Sequence, residues 1–148
     1  MAAKRFPAAQ AFPYIAAQLG GALLASLTLR FLFPENHTLG ATFPAGSDVQ
    51  SFVLELLLTY FLMLVILQVA HGSKETGLMA GIAIGSVVGL EALFAGPICG
   101  ASMNPARSIA PAVVSGELRS LWLYIAAPIL GALAATGTWY WMRRTTTA

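Results

Sequence analysis

The chain has 148 residues, 57% of them hydrophobic and only 9% charged, with a formal net charge of +2 and a mean hydropathy of +0.75. That balance excludes an ordinary soluble domain and gives no basic surface for nucleic acid; it is the composition of a membrane protein. The single cysteine, Cys99, excludes an intramolecular disulfide, and two scattered histidines, His37 and His71, read as loop residues and leave no cluster for a metal or other cofactor.

A membrane-spanning helix needs roughly 20 mostly apolar residues. The first such stretch, 14–33, follows a short basic start at Lys4 and Arg5 and has no convincing cleavage site behind it. It reads as a retained span and not as a signal peptide. Ala17, Gly21 and Ala25 form a small-residue seam suited to close helix approach in lipid, and Arg30 is expected to snorkel outward. The 17-residue loop 34–50 carries no Lys or Arg and ends in an S-x-x-Q capping box, Ser47 to Gln50. The second span, 52–70, holds Glu55 near its outer end. Ionisable groups inside spans are costly and usually paired, so Glu55 is read as a structural brace accepting N–H groups from irregular backbone near Asn104. The third span, 78–95, repeats glycine every four residues at Gly77, Gly81, Gly85 and Gly89, a second scaffold seam. It also holds Glu91 at depth, which pairs with a polar group, stays protonated or faces a pore; the sequence does not choose.

Between the third and last spans lies "GASMNPARSIAPAVVSG", residues 100–116. Asn104 suits an N-cap, Pro105 the first helical position and Gly116 the stop. About 11 residues at 1.5 Å each reach roughly 16 Å, half of a hydrocarbon core, so 105–115 is expected to be a re-entrant half-helix. The approach from Ala95 to Met103, with Gly96, Pro97 and Gly100, is expected to be non-helical, which membranes tolerate where protein buries it or where it lines a watery cavity. Arg107 sits near the positive end of the helix dipole, which opposes a cation. It is either an arginine reaching the outer interface or a cation aimed into a pore. A half-helix N-terminus, an Asn amide and a guanidinium together attract acceptor oxygens and repel cations and protons. The last span, 122–142, carries Trp122, Tyr124, Trp139, Tyr140 and Trp141, read as interfacial anchors. With four full crossings, Lys4, Arg5, Lys74, Arg143 and Arg144 share one side, which places the termini in the cytoplasm; Arg119 is the exception.

"YIAAQLGGALLA" at 14–25 returns as "YIAAPILGALAA" at 124–135, with eight of twelve positions identical. On the topology above the copies run in opposite directions, an inverted repeat of the kind transport proteins use. The second unit begins near Gln50; an equivalent start for the first would lie about 60 residues before Met1 on the same repeat spacing. The chain is therefore expected to lack two spans and a partner half-helix.

These residues resemble the major intrinsic protein family, the aquaporins and aquaglyceroporins. "SMNPARS" is similar to the family's second Asn-Pro-Ala box with its arginine, and "AAQLGGA" to its third-span signature. "FAGPICGASMNPARSIAPAVVSG" and "FPAGSDVQSFVLE" look like the nodulin-26-like branch and its bacterial relatives. The resemblance runs from the family's third span through its sixth and implies an all-α membrane protein, a partial aquaporin-like right-handed helical bundle. It makes Asn104, with Pro105 and Ala106, the pore box, and it makes Arg107, with Ala92 and Ala101, the selectivity constriction. The carbonyls of Gly100, Ala101 and Ser102 become pore acceptors. Two alanines beside one arginine imply a wide constriction for water and small neutral solutes such as glycerol, boric acid or arsenous acid, in a parent that forms homotetramers in the lipid bilayer. An intramembrane enzyme is disfavoured because Ser102 and Ser108 have no histidine within the expected spans. A nonconducting assembly subunit is the rival reading.

Overall fold

The computed structural model describes residues 7–70 and 78–146. Lys4, Arg5, His71, Lys74 and Gly77 therefore lie outside the described residues. After a short 3-10 turn at Ala8–Gln10, the helices are α1 (Ala11–Leu32), α2 (Asp48–Ala70), α3 (Ala80–Cys99), α4 (Pro105–Ser115) and α5 (Leu121–Thr146). All but α4 are long and apolar enough to cross a membrane. Their outward rows, among them Phe12, Leu24, Phe31, Leu90, Leu93 and Leu133, are exposed, as a lipid solvent requires. This is an all-helical, multi-pass integral membrane protein.

α2 begins at Asp48, ahead of the apolar run, because Ser47 caps it: the Ser47 hydroxyl oxygen accepts the Gln50 N–H at 3.2 Å. α2 packs against both α3 and α5, α1 leans on α4, and α4 touches α5 and so joins the two groups. Contact between α2 and α5 is close because Gly131 has no side chain. A Cβ there would strike the Leu56 carbonyl oxygen and stand 3.0 Å from the Tyr60 nitrogen. A small core of Leu58, Ala95, Cys99 and Ala101, flanked by Leu54 and Met103, fills the space between α2, α3 and the chain entering α4.

Several expectations are corrected. Helix α3 continues through Gly96 and Pro97 to Cys99; proline removes one N–H and its fixed φ remains helical, so the irregular backbone is confined to residues 100–104. The small-residue seams do not pack within the described residues: a Cβ at Gly21, Gly81, Gly85 or Gly89 would meet nothing within 4 Å. α3 instead presents the face of Glu91, Ala95 and Cys99, which are buried, and the glycine seam lies on the opposite side. Tyr124 and Trp139 are not interfacial anchors, since they are 0% and 3% exposed, whereas Trp122 and Trp141 are exposed. Tyr124 is held inside because its hydroxyl donates to the Cys99 carbonyl at 2.7 Å. Glu91 is buried, and its Oε2 has no hydrogen-bond partner among the described residues.

Candidate functional site

The site is assembled from the five residues between α3 and α4 and from what holds them. Gly100 closes α3 in the left-handed region, φ +86°, with its N–H on the Gly96 carbonyl at 2.9 Å. Only glycine suits this place, because a Cβ would also come within 2.9 Å of the Thr42 methyl carbon. Ala101 and Met103 are left-handed too, at φ 42° and 53°, a conformation that persists in non-glycine residues only where surroundings over-determine it. Glu55 supplies that determination. Its two carboxylate oxygens accept the N–H of Ser102 at 2.7 Å and of Met103 at 2.8 Å, and its side chain is fully buried. In a trans peptide the carbonyl points opposite to the N–H it is joined to, so both bonds turn the Ala101 and Ser102 carbonyls away from Glu55.

Asn104 is the N-cap of α4, with extended backbone, and its Oδ1 accepts the Ala106 N–H at 3.0 Å; Pro105 opens the helix and Gly116 ends it in the left-handed region. One turn into α4, the Arg107 guanidinium donates to the Gly40 carbonyl at 3.1 Å. Asn104 and Arg107 are both exposed, and both line one cleft of about 440 Å³. Its opposite wall is α1, through Gln18, Ala22 and Ser26. The positive end of α4, a cap amide and a fixed guanidinium thus converge on one cavity with mostly small apolar walls, an arrangement that favours acceptor oxygens and disfavours cations.

Arg30 and Arg119 also have definite partners. Arg30 does not snorkel: its Nη2 donates to the Val114 carbonyl at 3.1 Å, one of the last carbonyls of α4, where a cation complements the dipole. Arg119 lies over the Phe43 ring, 5.6 Å from the centroid, and next to it Ser120 donates to Asp48 at 2.8 Å. These contacts tie the loop after α1 to the loop before α5.

Residues 1–140 match the family model described as Major intrinsic protein. The chain belongs to the major intrinsic protein family. Among curated proteins it is 52% identical to "Aquaporin NIP1-1" of Oryza sativa subsp. japonica over 137 residues, which is 92% of this chain and 48% of that protein. It is 50% identical to "Nodulin-26" of Glycine max over 137 residues, 92% of the chain and 50% of the relative. With "Aquaporin NIP1-1" of Zea mays it shares 49% over 136 residues, 91% of the chain and 48% of the relative. The chain spans about half the length of these relatives.

Within this major intrinsic protein fold, the structure brings some of the expected site residues together and separates others. Asn104, Ala106 and Arg107 share the cleft. Pro105 faces a second, apolar cleft of about 240 Å³, with Thr59, Met63, Met103 and Pro128. Ala101 is buried in the core cluster and does not line the cleft. Ala92 is exposed on α3 and does not line the cleft. Gln18, Ser26 and Gly40 do line it and went unread in the sequence. A polar side chain in an apolar span pointed to Gln18, whereas a backbone carbonyl such as that of Gly40 leaves no sequence signal.

Proposed function

We propose that the chain forms part of a passive transmembrane channel for water and small neutral solutes, with glycerol and metalloid hydroxides such as boric or arsenous acid as the solute class. The observation that carries this reading is the convergence of Asn104, Arg107 and the α4 N-terminus on one cleft. Each group donates hydrogen bonds or presents positive charge, so a neutral hydroxylated molecule gains partners for its oxygens while protons and cations meet an electrostatic barrier. The names of the relatives, aquaporins and Nodulin-26, support the same class. In this reading Asn104 is the pore amide and Arg107 the cationic member of the constriction. Ala92, which lies outside the cleft lined by the described residues, joins it from the α3 side only in the complete pore, as the family resemblance implies; the carbonyls of Gly100, Ala101 and Ser102 accept from passing solute, the termini are cytoplasmic, and the complete pore sits in a homotetramer.

A second reading, a nonconducting assembly subunit, is favoured by the open seams of α1 and α3. One experiment separates the two. Stopped-flow shrinkage and re-swelling of proteoliposomes in glycerol or boric acid gradients is measured with the chain alone, with a chain extended to the length of its relatives, and with Arg107→Ala in each. The channel reading expects solute flux that Arg107→Ala alters in selectivity, admitting charged or larger permeants. Flux indifferent to Arg107 in both forms sinks it. An Ala92→His variant is expected to cut solute uptake and to spare water.

A further inference from the structure

We propose that Thr42 is a positioning residue for Arg107, acting through a buried one-way chain of hydroxyls that fixes the Gly40 carbonyl; the inference rests on the constriction reading above. The partner of Arg107 belongs to a connecting loop, where a carbonyl would ordinarily be free to wander. Here it is pinned on both sides. Upstream, Asn36 Oδ1 accepts the N–H of Thr38 at 3.1 Å and of Leu39 at 2.9 Å, and the Ala41 N–H closes a turn on the Thr38 carbonyl at 2.9 Å. Leu39, left-handed at φ 51°, is 3% exposed. Downstream, the chain dives inward at Thr42, which is 5% exposed.

The Thr42 hydroxyl donates to Ser108 Oγ at 2.7 Å, and Ser108 is the residue after Arg107. Ser108 and Ser102 share a 2.5 Å hydrogen bond, and Ser102 donates to the Asn104 carbonyl at 2.9 Å. A hydroxyl has one proton to give. Since the Ser102 proton is on Asn104 and the Thr42 proton on Ser108, Ser108 must donate to Ser102. The chain therefore runs one way, Thr42 to Ser108 to Ser102 to the Asn104 carbonyl, and that same carbonyl accepts the Arg107 backbone N–H at 3.1 Å. One network thus fixes the loop that holds the guanidinium, the cap residue, and the backbone from which the guanidinium grows. Threonine does two jobs there, because its methyl group packs on Gly100 while its hydroxyl heads the chain.

Those two jobs separate by substitution. Thr42→Val keeps the methyl group and removes the donor; Thr42→Ser does the reverse; Ser108→Ala cuts the same chain from the α4 side. The readout is the rate at which phenylglyoxal modifies Arg107 in the full chain in detergent micelles, followed by peptide mass spectrometry with Arg143 as internal reference. Loosening the Gly40 carbonyl frees the guanidinium, so Thr42→Val and Ser108→Ala are expected to raise the Arg107 rate about fivefold, the worth of one ordinary hydrogen bond. Thr42→Ser is expected to stay within about twofold of the parent on the same scale. A parental rate in Thr42→Val and Ser108→Ala overturns the proposal, as does a Thr42→Ser rate equal to that of Thr42→Val. The chemistry does not need a conducting pore. If Arg107→Ala leaves flux unchanged while the modification rates follow this pattern, the constriction reading fails and the positioning of Arg107 stands.

Discussion

Replacing Glu55 is expected to loosen the backbone entering α4 while the spanning helices persist, in a graded order that the geometry sets. Both oxygens act as acceptors, at 2.7 and 2.8 Å, from two adjacent N–H groups, at a fully buried position. Hydrogen bonds to a carboxylate contribute about 1.5–3 kcal/mol each, and a buried donor left without a partner costs about 1–3 kcal/mol. Glu55→Gln retains one acceptor and turns an NH₂ toward the other N–H, so one donor is stranded and the loss is about 1–3 kcal/mol. Glu55→Ala strands both and is expected to lose roughly twice as much by the same measure, before any cavity term. Equilibrium unfolding in mixed detergent–SDS micelles gives the free energies, and amide hydrogen exchange at Ser102 and Met103 locates them. Exchange should accelerate at both residues in the alanine variant and at one in the glutamine variant. If both variants unfold within about 0.5 kcal/mol of the parent, a difference typical of surface substitutions, and the two amides stay protected, the carboxylate does not hold the backbone entering α4.

The two copies of the repeat give a paired prediction. Gly131→Ala must push α5 off the Leu56 carbonyl and is expected to destabilise by about 1–3 kcal/mol, whereas Gly21→Ala, with open space around it, should change little; equal midpoints in SDS titrations would contradict this. Cys99 is 0% exposed with its thiol on the Ala95 carbonyl at 3.5 Å, so a charged mercurial should label it far more slowly in the native chain than in SDS, and equal rates would show that α3 opens readily from α2.

Different parts of the structure were legible to different degrees. Four apolar stretches with few charges leave a bilayer little choice, because only helices satisfy their own backbone there; the all-α multi-pass class was readable for that reason. Signals that act within one turn, such as Asn104 on the Ala106 N–H or Ser47 on the Gln50 N–H, lie in the local sequence. Contacts between distant segments do not. Arg30 and Val114 stand 84 residues apart, and nothing in "LTLRFLF" says that its cation completes another helix's C-terminus in place of reaching for the interface. Tyr124 sits at the end of a span where lipid anchors are common, yet it turns inward to the Cys99 carbonyl. Gly40 enters the site by its carbonyl, which every residue type possesses.

The repeat shows where local sequence and environment part company. Gly21 and Gly131 occupy the same place in two copies of one motif, and a glycine in a spanning helix has most reason to exist where another backbone comes close. At Gly131 that backbone is α2, near enough that no Cβ fits; at Gly21 there is open space. The motif therefore specifies a tight helix crossing that the described residues complete once. The uncompleted crossing lies on α1, the helix whose Gln18, Ala22 and Ser26 wall the cleft opposite Arg107. In the assembly proposed above, a helix packed against α1 at Gly21 would thus help to set the width of that cleft, and the separation of α1 from α4 would be a property of that assembly as much as of this chain. Flux selectivity and the stability of the α1 contact should consequently change together when the residue at Gly21 is enlarged in a chain extended to the length of its relatives, and independently of α2 and α5, whose crossing is already closed.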